Sequence, residues 1–189
     1  HTMAPFDNAD FRKAIAYALP YSDIINGIYG GNATPMKSVI PNGMPGHTDK
    51  YWVYDTNLDK AKEALAASGV TDAKVELYVE AGATEHEQIA LLVQNALQQI
   101  GVTVEIKPLD TTTLAEQRAK RALPFLIHQG IAWINDPEYH FNLSLMPEGF
   151  LNFGAYSNPR IAEIVTNSSA IVNADERFAA YDEAQQIAM

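Results

Sequence analysis

The chain of 189 residues has no cysteine, few basic residues and no long hydrophobic run. The lack of cysteine excludes disulfides, thiolate catalysis and cysteine-ligated metal. Only 13 Lys and Arg stand against 23 Asp and Glu, which gives a formal net charge of −10. Nucleic-acid binding is therefore not expected, because it needs clustered basic side chains. No apolar stretch approaches the roughly 20 residues that span a bilayer, so no transmembrane helix is predicted.

The composition that remains favours a folded α/β domain. Hydrophobic residues make up 47% of the chain and charged residues 19%, which is typical of globular proteins. The hydrophobic spacing predicts strands at residues 74–80, 102–106 and 124–127, and helices at 58–67, 84–100, 111–121, 159–172 and 174–189. Strands alternating with helices predict a crossover unit. We expect a small mixed sheet with flanking helices.

Local signals predict where several elements begin and end. Asp7 or Asn8 can cap a first helix, because a short side-chain oxygen accepts the free N–H groups of the first turn. Thr84 and Glu87 have the spacing of a capping box. Pro108 is expected to stop the second strand.

Five segments carry a resemblance to a known family. Residues 5–18 (PFDNADFRKAIAYA) with 31–35 (GNATP) resemble the opening of one lobe of the family 5 solute-binding proteins, which feed ABC importers of peptides, nickel and some oligosaccharides. The other four segments follow in the family's order: 54–69 (YDTNLDKAKEALAASG), 93–104 (VQNALQQIGVTV), 152–159 (NFGAYSNP) and 177–185 (RFAAYDEAQ). Each segment alone is weakly specific, but five in order cover nearly the whole chain.

The resemblance implies the architecture and the partners. Residues 4–189 would be the ligand-closing C-terminal lobe of a periplasmic binding protein, similar to lobe III of dipeptide-binding proteins. Residues 1–3 have no feature of a signal peptide and are interpreted from the sequence itself as an expression remnant. The lobe would close over a small, peptide-like solute together with a second lobe of the same protein, and the closed form would dock on a membrane ABC permease. The protein would be periplasmic or cell-envelope-bound, with a lipid anchor in a Gram-positive host. No cofactor, metal or nucleic acid is implied.

The candidate ligand loop is residues 129–141 (QGIAWINDPEYHF). It follows a predicted strand and combines aromatic, amide and acidic side chains, as ligand-contacting loops often do. In peptide receptors of the family, a W-x-x-D pattern here supplies an Asp that pairs with the ligand's α-ammonium. The resemblance therefore implies that Asp136 anchors an amine, with Trp133, Asn135 and Tyr139 beside it.

Alternatives stand beside these assignments. Family peptide receptors have a further Asp-Pro a few residues on, whereas Asp136 runs straight into Pro137. Asp136 can therefore equally be the cap of the next helix, with Trp133 in the core. A second candidate group lies on the loop that, in the family, faces the ligand cavity. Each of these residues can instead have only a structural role in a turn or in packing. The group comprises Asn152, Phe153 and Tyr156.

Two other functions remain open at this level. One is a hydrolase-like enzyme that uses Asp136, Glu138 and His140, although no nucleophile elbow, serine triad or zinc-protease spacing occurs in the sequence. The other is a regulatory module derived from such a receptor. The resemblance favours a binding protein without catalytic residues.

Overall fold

The computed structural model describes residues 2–189, which divide into two compact units. Unit 1 comprises residues up to Pro35 together with Tyr54–Gln129, and unit 2 comprises Met36–Val53 with Gly130–Met189. The predicted α/β class is confirmed. No helix in residues 2–189 has both the length and the hydropathy needed to cross a bilayer. The predicted lobe boundary, residues 4–189, stays a prediction.

Unit 1 packs helices around a short parallel sheet. Its helices are α1 (Ala9–Ala18), α2 (Tyr21–Asp23), the π-helix π1 (Ile24–Ile28), α3 (Leu58–Ser68), α4 (Thr84–Gln98) and α5 (Thr111–Ala119), and its strands are β1 (Lys74–Glu80) and β2 (Thr103–Leu109). Asn8, not Asp7, caps α1, since its Oδ1 accepts the N–H groups of Asp10 and Phe11 at 2.9 and 3.1 Å. Phe11 is fully buried in the core of this unit.

The two strands run parallel, with Val75 opposite Val104 and Leu77 opposite Ile106. A helix of four turns joins them, which is the crossover connection that parallel neighbouring strands require. The sheet is therefore parallel rather than mixed. The predicted third strand is only a bridge, in which the N–H of Tyr78 donates to Phe125 and its C=O accepts from Ile127, both at 3.0 Å.

Three predicted boundaries were wrong. Strand β2 continues through Pro108, which lies opposite Val79. The segment around Phe125 pairs on the other side of β1, so β2 is an outer strand, where a residue without an N–H is tolerated. Thr84 does not cap α4 as predicted, because it is the first residue of the helix and Ala83 occupies the capping position. Glu87 bonds further back than a capping box would, since its Oε1 accepts the N–H of Gly82 at 3.0 Å. The helix after Asn158 ends at Ser168, four residues early.

Unit 2 is built from helices α6 (Pro137–Ser144), α7 (Pro159–Ser168) and α8 (Ala174–Ala188). Its core includes Phe141 and Tyr181, whose rings stack with centroids 5.4 Å apart. Arg160 on α7 makes a two-pronged contact with Glu183 on α8, with N–O distances of 2.7 and 2.9 Å. This pair is exposed, so the stability of the unit depends more on its apolar core.

A buried glutamine on α8 forms hydrogen bonds to the Met36–Val53 segment. Gln185 is fully buried, and its Oε1 accepts from the hydroxyl of Ser38 and from the N–H of Thr48. Its Nε2 donates to the carbonyl of Gly46 at 2.9 Å. A buried amide must satisfy its polar atoms, so this network specifies where the segment lies on the helix.

Replacing Gln185 with leucine should destabilise unit 2 by about 1–3 kcal/mol, because the buried Ser38 and the half-buried backbone groups of Gly46 and Thr48 lose this hydrogen-bond partner. Both tryptophans, Trp52 and Trp133, belong to unit 2, so urea unfolding followed by tryptophan fluorescence reports on this unit. The neighbouring Gln186→Leu is the control, because Gln186 is exposed. Equal midpoints for the two variants would contradict the account.

Candidate functional site

The candidate loop in unit 2 exposes its apolar side chains. Residues 130–133 have no regular structure, and Trp133 is 78% exposed, with Ile131 and Ile134 also exposed on either side. Trp133 therefore does not lie in the core of unit 2. Asn135 is exposed as well. An exposed indole between two exposed isoleucines is unusual for a surface that only meets water, and such groups often mark binding sites.

Asp136 ends this loop and caps α6. Its backbone is extended, and its Oδ1 accepts the N–H of Glu138 at 2.9 Å. Pro137 occupies the first helical position, where a missing N–H costs nothing. The structure thus has the capping arrangement that was the alternative to the amine anchor.

The second oxygen of Asp136 is also occupied. Its Oδ2 accepts from the Nη2 of Arg177 on α8 at 2.6 Å, and both side chains are half-buried. This hydrogen bond and the carboxylate charge raise the pKa of Arg177, so the guanidinium stays charged. A ligand ammonium at Asp136 would have to share the carboxylate with Arg177. Amine anchoring by Asp136 stays a prediction, and in this structure a ligand ammonium would compete with Arg177 for the carboxylate.

The second predicted group is organised by Asn152. Only 3% of Asn152 is exposed, and its Nδ2 donates to the carbonyls of Met146 and Tyr156 at 2.9 and 2.8 Å. Its Oδ1 accepts the N–H of Tyr156 at 2.7 Å. These bonds use both amide hydrogens, so Asn152 holds the turn together. Tyr156 packs against the unit 2 core, and burial raises the pKa of its hydroxyl. Phe153 is half-buried.

Gly149 allows this turn to lie against the end of α6. A Cβ at this position would lie 2.4 Å from the carbonyl oxygen of Leu143 and 2.6 Å from that of Asn142. The N–H of Leu151 donates to the same Leu143 carbonyl at 2.9 Å. Only glycine fits so close to two backbone oxygens, and the turn that carries Asn152 depends on it.

A shallow cleft of about 300 Å³ runs along α6. It is lined by Ile134, Asp136, Glu138, Tyr139, Asn142 and Leu143. Of the predicted site residues, the cleft brings together Asp136 and Tyr139. Trp133 and Asn135 flank its Ile134 in sequence, whereas the group around Asn152 does not line it.

Three lining residues, Ile134, Asn142 and Leu143, were missed by the sequence analysis, and Glu138 was named only for the enzyme alternative. Asn142 and Leu143 follow Glu138 and Tyr139 by four residues each, so one helical turn places each pair together on the surface of α6. The Nδ2 of Asn142 contacts the Oε1 of Glu138 at 3.4 Å. The remaining lining residue is Ile134, whose position in an irregular loop has no periodic signature.

The residues of the hydrolase alternative do not form a catalytic arrangement in this geometry. Asp136 is engaged by the helix cap and by Arg177, and His140 is half-buried with its Nε2 lacking a hydrogen-bond partner. Burial lowers the pKa of His140, which favours the neutral ring. Within residues 2–189, no group of three or more His, Asp or Glu side chains is placed to hold a metal ion.

Comparison with known proteins identifies the family. The family described as "bacterial extracellular solute-binding proteins, family 5 Middle" matches residues 1–151. The chain belongs to this family. The predicted resemblance is thereby confirmed.

Relatives of this family 5 chain align along nearly its whole length. The probable D,D-dipeptide-binding periplasmic protein DdpA of Escherichia coli is 26% identical over 99% of this chain and 37% of its own. Heme-binding protein A of Haemophilus influenzae is 28% identical over 97% of this chain and 35% of its own. The chain therefore spans little more than a third of these relatives.

Solved structures of such proteins have the same fold. The ABC transporter substrate-binding protein CtaP of Listeria monocytogenes superposes with a TM-score of 0.86 at 28% identity, covering 94% of this chain and 37% of that one. DppA of Helicobacter pylori, solved with the peptide STSA, gives a TM-score of 0.87 at 24% identity, covering 98% of this chain and 37% of that one. The second likeness is evidence of fold alone.

Removing the Asp136 carboxylate should destabilise unit 2. Asp136→Ala loses the cap and should cost about 1–2 kcal/mol. Asp136→Asn keeps a good capping group and loses only the half-exposed ion pair, which is worth about 0–1 kcal/mol. Urea unfolding followed by tryptophan fluorescence measures both. Asp175→Ala, which removes a first-turn carboxylate that is not the cap of α8, should change stability by only about 0.3–1 kcal/mol. An alanine variant at 136 as stable as the parent would contradict the capping role.

Proposed function

We propose that this chain carries solute-contacting residues of an ABC-importer receptor, and that the solute is peptide-like. The observation that carries the proposal is the exposed Trp133 next to the cleft along α6, in a chain of the solute-binding family. Binding clefts are mostly apolar with a few polar groups that fix orientation. Ile134 and Leu143 supply the apolar lining here, and Glu138, Tyr139 and Asn142 supply the polar groups.

The mechanism we propose is closure rather than catalysis. The family comprises extracellular solute-binding proteins, and the chain spans 37% of the length of DdpA. The remaining part of the receptor would complete the pocket, and hinge closure would exclude water, so that a few polar contacts bind tightly. The closed receptor would then deliver the solute to a membrane permease. We place it in the periplasm or at the cell envelope, in line with the family description.

The contacts that Asp136 already makes limit how much it can contribute to binding the solute. Because its carboxylate already caps α6 and pairs with Arg177, an ammonium group gains less there than at a free carboxylate. We therefore expect contacts with the Trp133 indole to contribute more to affinity than Asp136 does. Aromatic side chains bury large areas and lose little conformational entropy, so they often dominate binding.

The names of relatives define the solutes to be tested. Among them are proteins named for binding D,D-dipeptides, glutathione, heme and nickel. For this receptor we propose short peptides, glutathione among them, and heme and a nickel–histidine complex serve as the competing probes.

Calorimetric titration of the full-length receptor containing this chain tests the proposal. A panel of di- to tetrapeptides should include binders, and Trp133→Ala should weaken their binding about ten- to a hundred-fold, as loss of an aromatic anchor does. Val172→Ala is the control, because Val172 is another large apolar residue of unit 2 and is 99% exposed. Preferential binding of heme or nickel–histidine would overturn the peptide assignment. Unchanged peptide affinity in Trp133→Ala would overturn the role of the loop.

A further inference from the structure

Two Asn-Gly pairs in this chain differ in backbone structure but in little else. Asn42 and Gly43 lie in the Met36–Val53 segment of unit 2, and Asn26 and Gly27 lie in π1 of unit 1. All four residues are exposed, and a Cβ on either glycine would meet no atom within 4 Å. Solvent access and steric crowding are therefore alike at the two pairs.

Asn42 and Gly43 form the tip of a tight turn. The N–H of Met44 donates to the carbonyl of Pro41 at 3.2 Å, and Gly43 has a φ of 79°. A positive φ at the third residue is typical of a type II turn, whose hydrogen bond joins the first and fourth residues. The N–H of Gly43 takes no part in that bond. The peptide unit between Asn42 and Gly43 can therefore rotate without breaking the bond that closes the turn.

Asn26 and Gly27 lie inside a helix instead. Because π1 follows α2 directly, the helical backbone runs from Tyr21 to Ile28. A helical N–H donates to a carbonyl of the preceding turn, which points the nitrogen of Gly27 away from the Asn26 side chain. The Nδ2 of Asn26 also donates to the hydroxyl of Ser22 at 3.0 Å. The helix must open before the Gly27 nitrogen can reach that side chain.

An asparagine followed by glycine can lose its side-chain amide in a reaction that needs only water. At the turn, the backbone nitrogen of Gly43 attacks the Cγ of Asn42, so that a C–N bond forms and the Cγ–Nδ2 bond breaks. The side-chain nitrogen leaves as ammonia and takes the proton of the Gly43 N–H. Water then opens the resulting cyclic imide at one of its two carbonyls, which gives aspartate or isoaspartate. Glycine favours the attack because no Cβ hinders its nitrogen.

We infer that Asn42 is a site of covalent modification, at which the side-chain amide is lost through a cyclic imide, whereas Asn26 keeps its amide while π1 is folded. The inference goes beyond the proposed function and does not depend on it, because no solute takes part in the reaction.

The modification changes a segment that is fixed on both sides of the turn. Ile40 is fully buried and Met44 is 9% exposed, and both belong to the core of unit 2. The N–H of Ile40 donates to the hydroxyl oxygen of Ser38 at 3.3 Å, and that hydroxyl donates to Gln185. Isoaspartate adds a methylene to the main chain between Ile40 and Met44. It therefore alters the spacing of two side chains in a close-packed core, whereas aspartate adds only an exposed charge.

Peptide mapping of the full-length receptor measures both asparagines in one sample. Trypsin cuts after lysine, so Asn26 and Asn42 fall in separate peptides, residues 14–37 and 38–50. During incubation at mildly alkaline pH, the replacement of NH₂ by OH should accumulate at Asn42 about ten-fold faster than at Asn26, because opening of the helix is rare. In concentrated urea the two rates should converge, since both residues precede glycine.

Two variants separate the causes. Asn42→Gln should remove the signal from residues 38–50, because the longer side chain closes the ring far more slowly. Ser22→Ala removes the side-chain bond of Asn26 and leaves the helix in place. Asn26 should stay unmodified in this variant, because the backbone of π1 protects it.

The isoaspartate form should also show faster hydrogen exchange in residues 38–50 than the variant Asn42→Asp, which has the same charge without the extra methylene. Equal exchange in these two forms would overturn the effect on the segment.

Equal rates at Asn26 and Asn42 in the folded receptor, or no modification at Asn42, would overturn the inference. Modification of Asn26 in Ser22→Ala as fast as that of Asn42 would overturn the protective role of π1. None of these results bears on the Trp133 titration, so the modification site and the proposed function can fail separately.

Discussion

The candidate site of unit 2 depends on the carboxylate of Asp136. One of its oxygens caps α6 by accepting the N–H of Glu138, and the other accepts from Arg177 on α8. A single side chain therefore joins the end of the exposed loop to two helices. The extended backbone at Asp136 and the fixed φ of Pro137 set the direction in which the helix begins. Both oxygens of this carboxylate are thus bonded, one to the first turn of α6 and one to α8. These two bonds fix the position of the first turn of α6, which lines the cleft.

The local features of the chain could largely be predicted from sequence. Asn8 indicates the start of α1 because its side chain can cap the helix, and the glycine after α3 indicates its end because glycine readily adopts the left-handed conformation. The alternation of apolar and polar residues in 74–80 indicates a half-buried strand. The weaker predictions failed where tertiary context decides. Pro108 is accommodated because β2 is the outer strand, and the segment around Phe125 forms only a bridge because it pairs at one residue of β1. Neither circumstance is encoded in the local pattern.

The same distinction applies to the functional residues. The sequence pointed to the loop and to both interpretations of Asp136, since Asp before Pro is compatible with either. The local pattern does not indicate the second partner of the carboxylate, Arg177, which is 41 residues away in the sequence. Gln185 and Gly149 are similar cases, because their importance lies in buried or crowded contacts that only the folded chain makes.

The most direct test of the account is hydrogen–deuterium exchange of the full-length receptor, with and without a saturating mixture of di- to tetrapeptides. If the loop and α6 contact the solute, amides of residues 129–143 should exchange more slowly with peptide present, because closure removes them from water. Amides of α7 serve as the internal reference. Unchanged exchange in residues 129–143, under conditions where calorimetry shows the peptides bound, would contradict the claim that this loop contacts the solute.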